Sequence, residues 1–230
     1  MFHHTLGTTK ATHLRTVRHP LIRTPNDIYA LSPTELLVTN DHAHRAGLLR
    51  TVEDIVTHPL GPKTSLVHVS FSLDSPRVDA RVALDGLHNC NGLGHGPSGQ
   101  LLLVDAAGGI LHLGTPNPPS LHTSIPHATT LDNPSFYAST LDASQGYLNA
   151  GLTAAHTLAT SARNATALDP SIVWYLAFNS TTPKVLFHDD GARLRTASAA
   201  VIVDDEATRE RWLFATGFLS EAMVAMPVEV

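Results

Sequence analysis

Four short polar segments hold the residues whose types and spacing could do chemistry: PNDIYAL from Pro25, TNDH from Thr39, NCNG from Asn89 and LDNPSFY from Leu131. Asn26, Asn91, Asp132 and Asn133 offer amide and carboxylate oxygens, and Asp27, Asp41 and His42 lie beside them. Such oxygens are hard ligands of the kind calcium gathers, about 6–8 at a time. They suit zinc poorly, which prefers imidazole nitrogen and thiolate. Taken singly, each Asn or Asp reads first as the side chain of an Asx-turn. The metal reading rests on their recurrence at one phase of a repeat.

The elements that must position them are short strands. Apolar runs such as ELLVTND, SLVHVSFSL, QLLLVDA, IVWYLAF, AAVIVDD and RWLFATGF are bounded by Gly, Pro, Asn, Asp and Ser, the pattern of an all-β chain. GQLLLVDAAGGILHLG reads as a hairpin bent at Gly108-Gly109. Aligning Asn26, Asn91, Asn133 and Ser198 gives steps of 65, 42 and 65 residues (91 − 26, 133 − 91, 198 − 133). Propeller blades commonly repeat at about 40–50 residues, and insertions within blades account for the excess. The Ala-rich stretch GLTAAHTLATSARNA, residues 151–165, is one such insertion and is expected to be a short helix. The spacing therefore predicts a single partial β-propeller domain over residues 1–230, with about four blades beginning near 26, 91, 132 and 197. In a propeller the loops entering the innermost strands meet at one mouth of the central channel, which would bring Asn26, Asn91 and Asp132-Asn133 together.

Composition narrows the function. Of 230 residues, 43% are hydrophobic and 15% charged, which favours a packed globular body over a disordered chain. The net charge is −5 and the fifteen Lys and Arg form no stripe, so nucleic acid is not an expected partner. Cys90 is the only cysteine, which excludes an internal disulfide; inside HNCNG it reads first as a small buried filler. No apolar stretch is long enough to span a membrane, and the N-terminus lacks the apolar core of a secretory leader. The fifteen histidines include no HExxH pair. Gly94, Gly96 and Gly99 spell GxGxxG, yet Pro97 interrupts it and a strand follows, against a dinucleotide site. No GxSxG occurs. Asn164 and Asn179 open glycosylation sequons that matter only in a secreted chain.

The wording of PNDIYAL, TNDH, NCNG and LDNPSFY, with RTVRHPLIRTPNDIYAL before them and HDDGARLRTASAAVIVDDEATRERWLFATGF after, resembles the paraoxonase/arylesterase family across nearly the whole chain. That resemblance implies a six-bladed propeller with two channel calcium ions that hydrolyses lactones and aryl esters. By motif, it implies that Asn26, Asn91, Asp132 and Asn133 are ligands of the catalytic calcium. Asp27 would serve the structural ion, and Asp41 and His42 would line the channel.

The resemblance also places Met1 in the second or third blade of the family. The acidic residues that complete both calcium shells, and the histidine pair assigned as the base, would lie upstream of Met1. The chain thus reads as an N-terminally truncated member, with no catalytic residue of the family's pair in it and with exposed sheet edges that invite self-association. The family is largely secreted, which leaves the location of this chain open. Two other readings stay open: a non-catalytic propeller serving as an interaction module, and a propeller of the gluconolactonase or strictosidine-synthase-like groups.

Overall fold

The strand runs form antiparallel meanders, one after another along the chain. The structure is a computed structural model and describes residues 1–55 and 64–230. A two-stranded hairpin of β1 (Phe2–His4) and β2 (Ala11–His13) comes first. The first four-stranded sheet holds β3 (Pro25–Ser32), β4 (Glu35–Asn40), β5 (Thr64–Phe71) and β6 (Val78–Leu87). The second holds β7 (Cys90–His95), β8 (Leu101–Asp105), β9 (Ile110–Pro116) and β10 (Pro119–Pro126). In the third are β11 (Thr130–Ala138), β12 (Gln145–Leu152), β13 (Ser171–Ala177) and β14 (Lys184–Asp189). The last sheet has three strands, β15 (Ala197–Asp205), β16 (Glu210–Gly217) and β17 (Val224–Pro227).

Successive sheets stack face to face through apolar layers. Leu37 and Leu66 of the first meet Leu93, Leu101 and Leu103 of the second. Leu102, Val104 and Leu111 then meet Leu131, Tyr147 and Leu176 of the third. Leu148, Val173 and Tyr175 pack on Ala200, Ile202 and Leu213 of the last. Strands sandwiched on both faces should read as unbroken apolar runs, and β8, Leu-Leu-Leu-Val-Asp, is buried at every residue. Each fully buried leucine contributes about 1.5–3 kcal/mol relative to exposure. The first strand of each sheet packs on the first strand of the next: β3 on β7, β7 on β11, β11 on β15. The fold is a β-propeller with four blades among the described residues.

Two expectations shift. The Ala-rich insertion contains an α-helix only over Leu158–Ser161, after a 3-10 turn at Ala155–Thr157. Gly151 and Leu152 belong to β12, where they pair with Leu131 and Thr130. Backbone pairing there outweighs local helix propensity. An unforeseen helix, α1 (Leu48–Ile55), follows the TNDH segment, and the Glu53 carboxylate accepts the amides of Ala43 and His44 at 2.6 and 3.0 Å. No described helix is long and apolar enough to cross a membrane.

Candidate functional site

The innermost strands β3, β7 and β11 begin side by side, and the polar motifs sit at these beginnings. Their closeness is enforced by glycine. A Cβ on Gly92 would lie 2.7 Å from the Asn133 Cα and would press on the Asp132 carbonyl, and one on Gly94 would lie 2.7 Å from the Pro134 carbonyl oxygen. The NCNGLGHG segment therefore carries glycines because two blades approach there backbone to backbone.

Asp27 ties the first blade to the second. Its Oδ2 accepts the Leu93 amide at 2.7 Å, its Oδ1 accepts the Ile28 amide at 2.7 Å, and its own amide donates to Thr39 Oγ1 at 2.9 Å. Asn26 Nδ2 donates to Asp41 Oδ2 at 3.4 Å, and His42 Nδ1 lies 2.9 Å from Asp41 Oδ1. Burial alone would raise the Asp41 carboxyl, but His42, with Asn26 and Arg50, holds it below its ordinary value. Asn40, the neighbour of Asp41, is spent on structure: it is buried, accepts the Arg23 and Thr24 amides and donates to the Leu21 carbonyl and Ser65 Oγ.

Asn89 joins these groups to the second blade and was not anticipated. It occupies the left-handed region at φ 72°, donates from Nδ2 to the Asp41 carbonyl at 2.7 Å and accepts Asn91 Nδ2 at 3.1 Å. The N-x-N spacing in NCNG was its only signal in the sequence. On the third blade, Asn133 Nδ2 donates to the Ser198 carbonyl and hydroxyl at 2.9 and 3.2 Å. Burial pushes the Asp132 carboxyl up to about 6; a hydrogen bond with Ser198 opposes this, and the charge of Asp27 adds to it. Cys90 is fully buried, and burial, with Asp105 and Asp41, pushes its thiol well up, as befits a filler and not a nucleophile.

Asn26, Asp27, Asn91, Asp132 and Asn133 thus lie near the starts of three neighbouring innermost strands, and Asn26 is joined by hydrogen bonds through Asp41 and Asn89 to Asn91, with His42 against Asp41. Asn91 Oδ1 is buried and accepts no hydrogen bond. A buried orphan oxygen costs about 1–3 kcal/mol. A partly buried carboxyl at Asp132 beside another acid is costly to ionise as well. A hard cation would lower both costs, and amide oxygens with a carboxylate are donors of the kind calcium takes. Among the described residues no three His, Cys, Asp or Glu side chains converge as a metal group, so an ion here would depend on the asparagines.

No family model matches the chain. Among solved structures it is similar to the PQQ-bound aldose sugar dehydrogenase of Streptomyces coelicolor, at 13% identity and a TM-score of 0.43, over 85% of this chain and 59% of that one. It is also similar to a protein of unknown function from Bacteroides caccae, at 10% identity and a TM-score of 0.39, over 88% and 77%. The chain therefore spans 59% of the length of the dehydrogenase it resembles. Likenesses this distant say nothing of its chemistry.

Proposed function

We propose that this chain is a propeller hydrolase of the paraoxonase/arylesterase kind, acting on esters or lactones with calcium held by Asn26, Asn91, Asn133 and Asp132. The observation that carries the reading is the unpartnered, buried Asn91 Oδ1, on the strand next to the one that carries the partly buried acid Asp132. The chemistry such an ion supplies is stabilisation of the negative charge that develops on a carbonyl oxygen during attack by water. Asn89 orients Asn91 through its amide hydrogen bond, and Ser198 orients Asn133. Asp27 is engaged by the Leu93 and Ile28 amides, so its first task is to hold two blades in register. The attacking water must lose a proton, and His42, braced by Asp41, is the imidazole that lies against this network.

The test is turnover of an aryl acetate and of a simple lactone, with and without a calcium chelator. The chain should hydrolyse at least one of them, lose that rate on chelation and regain it with added calcium. Asp132→Ala should cost about 10²-fold or more, the scale of a lost electrostatic stabiliser. A rate indifferent to chelator and to Asp132→Ala would overturn the proposal. Calcium binding without turnover would favour the interaction-module reading.

A further inference from the structure

An asparagine can offer a cation its oxygen or turn its NH2 to the same place, and only the oxygen binds. Which end points where is settled by partners that only accept. Two of the candidate amides meet such partners directly. Asn133 Nδ2 donates to the Ser198 carbonyl at 2.9 Å, and Asn26 Nδ2 donates to the Asp41 carboxylate at 3.4 Å. Each therefore turns its Oδ1 away from that neighbour. A Cβ on Gly92 would lie 2.8 Å from Asn133 Oδ1, so this oxygen faces the second blade one residue past Asn91.

Asn91 has no such partner of its own. Its Nδ2 bonds to the Asn89 side chain at 3.1 Å, and a second amide can accept or donate. The ambiguity is removed one step further on. Asn89 Nδ2 donates to the Asp41 carbonyl at 2.7 Å, and a carbonyl only accepts. Asn89 must therefore keep its NH2 on the first blade and its oxygen on Asn91. Asn91 must answer with its own NH2, which leaves its Oδ1 buried and unpartnered. The backbone of Asn89 is fixed as well. It holds φ 72°, in the left-handed region that Asn enters more readily than most residues, and its carbonyl accepts the Ala106 amide at 2.9 Å. Asp41 thus sets two amides, Asn26 through its carboxylate and Asn91 through its carbonyl and Asn89.

We propose that Asn89 is a positioning residue of the cation site, a relay that carries the polarity of the Asp41 carbonyl to the Asn91 amide. With the direct partners of Asn26 and Asn133, it presets three amide oxygens as acceptors before any ion binds. This rests on the calcium reading and adds to it that no amide has to turn when the ion arrives, which is preorganisation in the sense that lowers the cost of binding. The relay serves Asn91 alone, because Asn26 and Asn133 take their orientation from other groups.

Calorimetric titration of calcium into the full chain in four forms tests this: unaltered, Asn89→Gly, Asn91→Asp and the double variant. Glycine suits a φ of 72°, and circular dichroism checks that each form is folded. Without the relay the Asn91 amide can turn, and Asn89→Gly should lower calcium affinity by roughly 3–10-fold, the worth of one orienting hydrogen bond. A carboxylate shows oxygen from either end, so the same change should cost no affinity in the Asn91→Asp background. Asn89→Ser should repeat both results, since serine is too short to bridge Asp41 and Asn91 and the chain already holds Ser98 at φ 53°. Equal losses in the two backgrounds would overturn the proposal, because a loosened loop acts whatever stands at position 91. So would an unchanged affinity in Asn89→Gly. No uptake by the unaltered chain would overturn the calcium reading itself, and the role of the relay with it.

Discussion

At the scale of single residues, the candidate site is a set of oxygens held by neighbours whose work is structural. Gly92 is the clearest case, since its lack of a side chain lets Asp132 and Asn133 approach the second blade. Gly92→Ala is expected to cost about 1–3 kcal/mol through overpacking and to weaken calcium binding, read by thermal unfolding with and without the ion. His127 makes a second prediction. Burial lowers its pKa from 6.5 to about 4, partly offset by a hydrogen bond with the Ile125 carbonyl, and the ring lies edge-on to Trp174 at 5.7 Å. The folded state keeps this ring neutral, while the unfolded chain takes up a proton as pH falls through 6.5. Stability is therefore undiminished above that pH and falls as pH drops toward 4, by up to about 3 kcal/mol. His127→Phe should flatten that part of the curve in urea melts at a series of pH values; an unchanged slope would contradict it.

At the scale of elements, legibility followed locality. β4, β5, β8, β13, β15 and β16 were visible because each is a short run of branched and aliphatic residues between turn formers. β10 was not, because its sequence, Pro119–Pro126, is rich in polar residues, as an outermost strand can be. The helix expected over residues 151–165 shrank because pairing of Gly151 and Leu152 with β11 is non-local and invisible to composition. The same holds within the site. Asn26, Asn91, Asp132 and Asn133 can be proposed from type and repeat phase alone. The roles of Asn89 and Gly92 depend on contacts 48 residues back to Asp41 and some 40 residues on to Asp132 and Asn133. Asn40 and Asp41 looked alike as an Asn-Asp pair, and only hydrogen-bond partners separate a buried staple from a group at the border of the site.

At the scale of the whole molecule, four blades stack through three apolar layers, and the innermost strands of the first three carry the candidate residues. A ligand that binds only the folded state raises stability by mass action, about 2.7 kcal/mol at a hundred times its dissociation constant. On the proposed reading calcium should do so here, because the proposed ligands lie on three blades that unfolding separates. Calorimetric titration of calcium into the purified chain, with Asn91→Ala and Asp132→Ala in parallel, addresses that claim most directly. The expected result is saturable binding to the folded chain that disappears in both variants, which would join oxygens of the second and third blades in one ion site. A folded chain that takes up no calcium, or one whose binding survives both substitutions, would contradict it.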